Sequence, residues 1–448
     1  MHILKFGGTS MGDAQTWKQV INIIKRYESP YIVVSATART TRTLIKAAHK
    51  AIDDLPKANK IADDIAARHN NIVENFLADF DNSSQTLEAC HNWIKMHTEE
   101  LKEHLSTIHN KQELAEPLKD VIASIGERLS SYLFAECGYA AGLFTTWLDA
   151  TKIIRTDSNF GKATPNFEFI ANKINSLQQK ISEDSIPVMG GYYGMDANEN
   201  ITTLGFEGSD YSASLIGAAL NANAIEIWTD VSGVYTCDPD FIVDANPIPQ
   251  LSFQEATELA YFGAKVLHPS TTKPASKQDI PIHVKNIFDP EAPGTRISSE
   301  SANDQPVKAI TYKEHCTIIT VTSSQTVMGY EFLADVFDVL RWHQLPVDVV
   351  TTTEASVSIA IENSDQIDQV VTQLNTHGTV ELRPDQGIIS LVGCKNSPRQ
   401  LIINILSQID DVPLTMISYS KSKGNLNIVV DTKDTLPSVK QIHKKLFS

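Results

Sequence analysis

The chain has 448 residues, 42% of them hydrophobic and 21% charged, and a formal net charge of −16. This is a globular composition, long enough for two or three domains of ~100–200 residues, and its acidic balance argues against duplex nucleic acid or an anionic membrane as a partner. No run of about 18 apolar residues and no signal-peptide pattern appears, the five cysteines are scattered, and no His-Glu-x-x-His pattern is present, so a cytoplasmic protein with free thiols and no protein-built metal site is expected.

The first strand, around Ile3-Leu4, runs into Lys5-Phe6-Gly7-Gly8-Thr9-Ser10, and a helix-like segment follows over Asp13 to Arg26. A lysine at a strand's carboxyl end, two residues without side chains and the N–H groups of a helix together suit a phosphate. The strict Walker spacing is absent, and a tight turn alone would also carry Gly-Gly. Tyr31 to Ser35 reads as a buried strand, and the loop Ser35-Ala36-Thr37-Ala38-Arg39-Thr40-Thr41-Arg42 leaves it at the same edge.

From about Leu44 to Glu136 the pattern is helical, and Gly126-Glu127-Arg128-Leu129-Ser130 begins or interrupts a helix there. Strands return at Phe144 to Leu148, Ile186 to Met189, Ala224 to Trp228 and Ile280 to Val284, separated by helices such as Tyr211 to Leu220 and Phe253 to Phe262. This alternation predicts an α/β fold, a mostly parallel sheet wrapped by helices with ligands at the strand carboxyl ends. Thr202 to Asp210 runs into the Tyr211 helix as a second loop-to-helix corner. Trp228-Thr229-Asp230-Val231-Ser232-Gly233-Val234-Tyr235 follows a strand, and Phe262-Gly263-Ala264-Lys265 carries another lysine.

The turn-rich stretch Asp289 to Thr295 reads as the exit from this domain. Beyond it come a strand at Thr317 to Val321, a helix at Phe332 to His343, strands at Asp348 to Thr352 and Ser356 to Ile361, and a helix at Ile367 to Asn375. A similar order begins again at Ile388 to Val392, with a helix at Arg399 to Ile409 and strands near Met416 to Ser418 and Leu426 to Val430. Two α+β modules roughly 70 residues apart form a repeat, of the kind that regulates a preceding catalytic domain.

Taken in order, KFGGTS, GERLS, TTLG..GSDY, WTDVSGVYTCDP and FGAKVLHP resemble the aspartokinases of the amino-acid kinase family over essentially the whole chain, and the tail resembles paired ACT domains. The resemblance implies a catalytic domain over 1–298, a first ACT domain over 314–385 and a second built from 303–313 and 386–448. It implies transfer of the γ-phosphoryl group of ATP, carried with Mg²⁺, to the side-chain carboxylate of aspartate. Lys5 and Asp210 would be catalytic. Lys5, Phe6, Gly7, Gly8, Thr229, Asp230, Tyr235 and Lys265 would hold the nucleotide, and Ser35, Thr41, Arg42, Glu127, Ser209 and Asp210 the aspartate.

Two positions depart from the family pattern. Phe206 stands where an arginine usually grips the substrate α-carboxylate, and Asp240 where another usually touches a nucleotide phosphate. Arg42, with Arg39 three residues earlier, offers a replacement for the first, because a guanidinium can grip a carboxylate through two parallel hydrogen bonds. The departures keep two other readings open: a catalytically weak ACT sensor, or a kinase for another amino-acid carboxylate.

In lysine-sensitive relatives the first ACT module holds lysine through segments that resemble Phe332-Leu333-Ala334 and Val347 to Glu354, which implicates Asp348, Thr352, Thr353 and Glu354. Similar strings occur in threonine-responsive relatives. Because ACT domains pair through their sheets, the resemblance also implies at least a homodimer.

Overall fold

The computed structural model describes every residue except 82, 181, 183, 265–266, 301–305, 324–328, 395–397, 423 and 448. The chain forms two units, Met1–Val234 with Leu267–Ser301, and Tyr235–Val266 with Ala302–Ser448. In chain order the strands are β1 (His2–Phe6), β2 (Pro30–Val34), β3 (Thr145–Leu148), β4 (Ile186–Gly190), β5 (Tyr193–Met195), β6 (Ile201–Thr203), β7 (Ala224–Thr229), β8 (Gln250–Ser252), β9 (Ile282–Asn286), β10 (Thr295–Ser298), β11 (Ala309–Ser323), β12 (Val349–Thr352), β13 (Ser356–Glu362), β14 (Gly378–Val392), β15 (Leu414–Ser420) and β16 (Asn425–Asp431).

In the first unit the strands lie in the order β3-β4-β2-β1-β7-β9-β10. Every pairing from β3 to β9 is parallel, and β10 closes antiparallel on β9. β1 and β2 sit in the middle. Ile3, Leu4, Phe6 and all of Tyr31–Val34 have no exposed surface, so both faces are covered and the strands read as unbroken apolar runs rather than alternating ones. Register sets Lys5 beside Val33 on one side and Ile227 on the other, which brings the carboxyl ends of β1, β2 and β7 together.

The long helical region resolves into Thr40–Asp53, Leu55–Leu77, Ser84–Lys111 and Glu116–Ala140. Their inner faces, including Leu44, Ile72, Phe76, Ile94, Leu105, Ile125 and Phe134, join Leu4, Phe6, Ile32 and Val34 in one core. Gly126 and Glu127 fall inside the last of these helices.

Several boundaries differ from those expected. The helix placed at Tyr211 begins at Gly208, because its first turn is Gly-Ser-Asp and carries no apolar periodicity. Ser209 and Asp210 are therefore helical residues. The strand expected over Ile280 to Val284 lies two residues later. The hairpin of β5 and β6 has three residues on each strand, too short for a periodic signal.

The second unit carries a six-stranded sheet in the order β12-β13-β11-β14-β16-β15, with every pairing antiparallel. Where short strands were expected near Thr317 and Ile388, β11 and β14 each run for 15 residues. Ala309–Lys313 pair with Ile388–Val392, and Cys316–Ser323 pair with Gly378–Gln386. The polar stretches Lys313-Glu314-His315 and Glu381 to Asp385 interrupt the apolar pattern, and the ladder shifts register between Lys313 and Cys316 and again between Cys316 and Ile318. At these breaks His315 and Asp385 take positive φ, 57° and 52°. One core forms around Ile319, Val336, Ile359 and Leu374, and another around Ile310, Ile389, Ile428 and Ile442, so two α+β modules share one sheet.

Gly387, in β14, lies against the helix Thr432–Phe447, where an added Cβ would stand 2.8 Å from Thr435 Cβ. Gly387→Ala should lower the stability of the second unit by about 1–3 kcal/mol, the usual range for overpacking a filled site. Urea unfolding followed by circular dichroism, with the first unit's transition as internal reference, reads this difference.

Candidate active site

The carboxyl end of β1 is where the chemistry gathers. Lys5 is buried there, and its ammonium is ion-paired with the Asp210 carboxylate from the first turn of the helix Gly208–Ala219. Gly7 follows and donates its N–H to Trp228 O at 3.1 Å, and Ser10 Oγ donates to the same carbonyl at 3.1 Å. The loop then turns sharply, with Met11 N reaching Gly7 O and Gly8 O. A Cβ on Gly8 would come within 3.2 Å of Ala36 O, so the two loops at the ends of β1 and β2 approach more closely there than a side chain comfortably permits.

Arg68, reaching in from the helix Leu55–Leu77, clamps these loops. Its guanidinium donates to Ala38 O at 2.6 Å and to Gly12 O at 3.3 Å. Behind them Thr37 Oγ1 lies 2.6 Å from Thr40 Oγ1 and 3.2 Å from Nε2 of buried His69, whose pKa is pushed down to about 4 by burial.

The two loop-to-helix corners differ. The helix Ala14–Ile24 is capped by Asp13, whose carboxylate accepts Thr16 N at 2.8 Å while Thr16 Oγ1 reaches back to Asp13 N. That corner already holds a negative charge. The helix Gly208–Ala219 has no side-chain cap, and its N-cap residue, Glu207, takes the left-handed conformation at φ 55°. Of the two termini expected to face phosphate, only the second therefore has its positive end free of a capping carboxylate.

Glu127 is the hub of the opposite wall. It is 3% exposed, accepts Ser209 Oγ at 2.6 Å on one oxygen and the Tyr192 N–H on the other. Burial pushes its pKa up to about 7 although Ser209, Tyr192 N and Lys5 pull the other way. Glu207 is likewise raised to about 7, by burial and by the neighbouring Asp210 charge. Its Oε2 is buried without a hydrogen-bond partner among the described residues.

These groups open on one cleft of about 590 Å³. It brings together Lys5, Gly8, Ser35, Thr41, Arg42, Glu127, Ser209 and Asp210 from the expected set, and adds Thr37, Arg39, Thr40, Gly161, Tyr192, Gly205, Phe206, Glu207 and Gly208. Arg39 and Arg42 are exposed on it. Phe206 is 76% exposed, with its ring edge-on to His268 at 6.4 Å.

Thr229 and Asp230 lie outside this cleft, at the end of β7, with Thr229 Oγ1 donating to Asp230 Oδ1 at 3.2 Å. The Phe6 side chain is core and stacks on Trp228, so any ligand contact of Phe6 is through its backbone. Tyr235 begins the second unit, bridged to Pro247, and Lys265 lies outside the described residues. Among the described residues no three His, Cys, Asp or Glu side chains converge to hold a metal ion.

In the second unit Phe332 and Leu333 pack on the core of the first module, while Ala334 is exposed. The Asp348 side chain is buried and already meets an ammonium, that of Lys313, at 2.8 Å; Lys313 also meets Glu362 at 2.8 Å. Burial pushes the Asp348 carboxyl up, and Lys313 offsets this in part. Thr352 ends β12, Thr353 forms a turn by accepting Ser356 N and bonding Ser356 Oγ, and Glu354 is exposed.

A model described as "Amino acid kinase family" matches residues 1–286, more than half of the chain. Aspartokinase 3 (chloroplastic) of Arabidopsis thaliana is 33% identical over 99% of this chain and 81% of its own length. Lysine-sensitive aspartokinase 3 of Escherichia coli is 30% identical over 99% of both chains. The chain belongs to the aspartokinases. The crystal structure of E. coli aspartokinase III in complex with aspartate and ADP matches it with a TM-score of 0.87 over the full length of both chains, at 29% identity.

For an aspartokinase, a buried glutamate that titrates near neutrality has a measurable consequence. A carboxylate attracts an ammonium only when ionised, so a Glu127 that receives a substrate ammonium carries a pH dependence. The kcat/KM for the amino-acid substrate, which reports ionisations of the free enzyme, should therefore fall as pH drops below about 7. Ser209→Ala removes a hydrogen bond that holds this pKa down, so it should move the acid limb to higher pH in a pH–rate profile.

Proposed function

We propose that the cleft binds L-aspartate and that its side-chain carboxylate attacks the γ-phosphorus of ATP, giving 4-phospho-L-aspartate and ADP, the first step towards lysine, threonine and methionine. The observation that carries the reading is the Lys5–Asp210 pair at the floor of a cleft walled by Glu127 and Ser209. Aspartate's carboxylate, with a reference pKa of ~3.9, is ionised near neutrality and needs no general base. The barrier is repulsion between two anions, so positioning and positive charge must supply the catalysis.

In this reading Glu127 receives the α-ammonium of aspartate, with Ser209 holding that carboxylate in place. Ser35 and Thr41 offer hydroxyls from the second wall, and Arg42 grips the α-carboxylate in place of the family arginine replaced by Phe206. Lys5 stabilises the phosphoryl group in transit, and Asp210, ion-paired with it, orients the ammonium. The closeness of Gly8 to Ala36 O suits a backbone cradle for phosphate. Thr229 and Asp230, at the adjoining strand end, are assigned with Tyr235 and Lys265 to the nucleotide. Mg²⁺ is assigned to the ATP phosphates, where it neutralises charge.

The domain boundaries at 298, 314 and 386 are assigned to the same plan, and the register shift in the β11–β14 ladder near residues 315 and 385 supports the last two. At least a homodimer through the ACT sheets and a reducing, cytoplasmic setting complete the reading; all five cysteines are free and buried. A catalytically weak sensor is the second reading, favoured by Phe206 and Asp240. ATP-dependent trapping of an acyl phosphate by hydroxylamine, run with aspartate, glutamate and no amino acid, separates them. A hydroxamate formed with aspartate alone supports the kinase, and none with any amino acid supports the sensor. Lys5→Met should cut this rate by ~10²-fold or more in a variant whose circular dichroism matches wild type.

Lysine is the proposed effector, acting at the Asp348 region of the first module. The E. coli relative is named lysine-sensitive. Because Lys313 already neutralises Asp348, an incoming ammonium must share or displace it. Lysine should inhibit the enzyme and raise its melting temperature, and Asp348→Ala should relieve inhibition with the uninhibited rate little changed. Inhibition by threonine and not by lysine would overturn the effector assignment.

A further inference from the structure

The helix Glu116–Ala140 carries a second buried carboxylate besides Glu127. Asp120 lies seven residues earlier, two turns or about 10 Å along the axis and on the same face. It is 2% exposed. Its Oδ2 accepts Gly161 N at 2.9 Å and Thr203 N at 2.7 Å, and its Oδ1 accepts Thr203 Oγ1 at 2.9 Å. Burial raises its pKa against the pull of these hydrogen bonds.

The two segments it holds are the cleft's outer wall. Gly161 lines the cleft directly, and Thr203 ends β6, one residue before Leu204-Gly205-Phe206-Glu207. The segments also join each other, since Ala163 N donates to Thr203 O at 2.9 Å, and a Cβ on Gly205 would stand 3.1 Å from Gly161 O. Beyond Glu207 the chain delivers Ser209 to Glu127 and Asp210 to Lys5. One helix therefore suspends the inner wall from Glu127 and the outer wall from Asp120.

We propose that Asp120 is a positioning residue for the amino-acid substrate: it fixes the Gly161–Gly205 wall, and through it sets affinity for aspartate and not for ATP. The inference rests on the aspartate reading of the cleft. Asp120→Ala leaves two buried N–H groups without acceptors. Asp120→Asn can keep all three contacts, because one amide oxygen accepts both N–H groups and the amide donates to the Thr203 hydroxyl, which can act as an acceptor.

Steady-state kinetics on the full chain tests this, with circular dichroism as the fold control. Wild-type turnover of aspartate is read first, and its absence would reject the aspartate reading itself. Given that turnover, Asp120→Ala should raise the KM for aspartate by about tenfold or more and leave the KM for ATP within about twofold, while Asp120→Asn recovers most of the loss. If the alanine variant does not fold, Thr203→Val leaves both N–H contacts to Oδ2 in place, removes the Oδ1 contact together with the hydroxyl's bond to Tyr192, and should still raise the KM for aspartate selectively. Equal effects on both substrates, no effect in a folded variant, or an asparagine variant as impaired as alanine would overturn the proposal.

Discussion

A buried ammonium at the end of a central strand has to be matched by a carboxylate, and much of the site follows from meeting that requirement. Lys5 is buried, so little water solvates its ammonium. An ammonium taken out of water without a counter-charge is costly. Asp210 supplies the counter-charge, and removing either partner would leave an uncompensated buried charge. For Asp210 to arrive, the helix Gly208–Ala219 must begin where it does, which in turn requires the positive φ of Gly205 and Glu207 just before it. The local strain in that corner is thus the counterpart of the charge placed on β1.

The same cleft holds more negative charge than its one buried lysine balances. Glu127, Glu207 and Asp210 face Lys5, with Arg39 and Arg42 at the solvent edge. Burial raises two of the three carboxyls to about 7, so protons can offset part of the negative charge that Lys5 does not balance. In the binding mode proposed above, the ammonium of the ligand draws Glu127 into its ionised form and its carboxylates meet the edge arginines. This arrangement favours a zwitterion with extra negative charge at one end over either a plain amine or a plain acid.

Much of this was legible in the chain, because apolar runs and glycine-rich corners report directly on covered strands and close backbone approach. The motifs around Lys5, Glu127 and Ser209-Asp210 line one cleft, a grouping that the family resemblance, not the pattern of residues, had implied. What stayed hidden depends on partners distant in sequence. Asp120 looks like any polar residue on a long helix until Gly161 and Thr203 are folded against it. Arg68 looks like a solvated helix cation, yet it clamps two loops through carbonyls 30 and 56 residues away. The i, i+7 spacing of Asp120 and Glu127, and the Gly190-Gly191 pair at the end of β4, were the available signals. The partial ladders of β11 and β14 were missed because exposed polar residues mask strands whose only requirement is a paired backbone.

Those two long strands make the regulatory pair inseparable along the chain. The first half of β11 belongs to the module that finishes the polypeptide, and its second half to the module that comes first. The first module is one continuous stretch, but the second needs Ala309–Lys313 from before it. A chain ended near residue 385 would lose the partner of Ala309–Lys313 and leave an unpaired edge beside an exposed apolar surface, a template for aggregation. The second module therefore cannot be separated from the first by cutting the chain once.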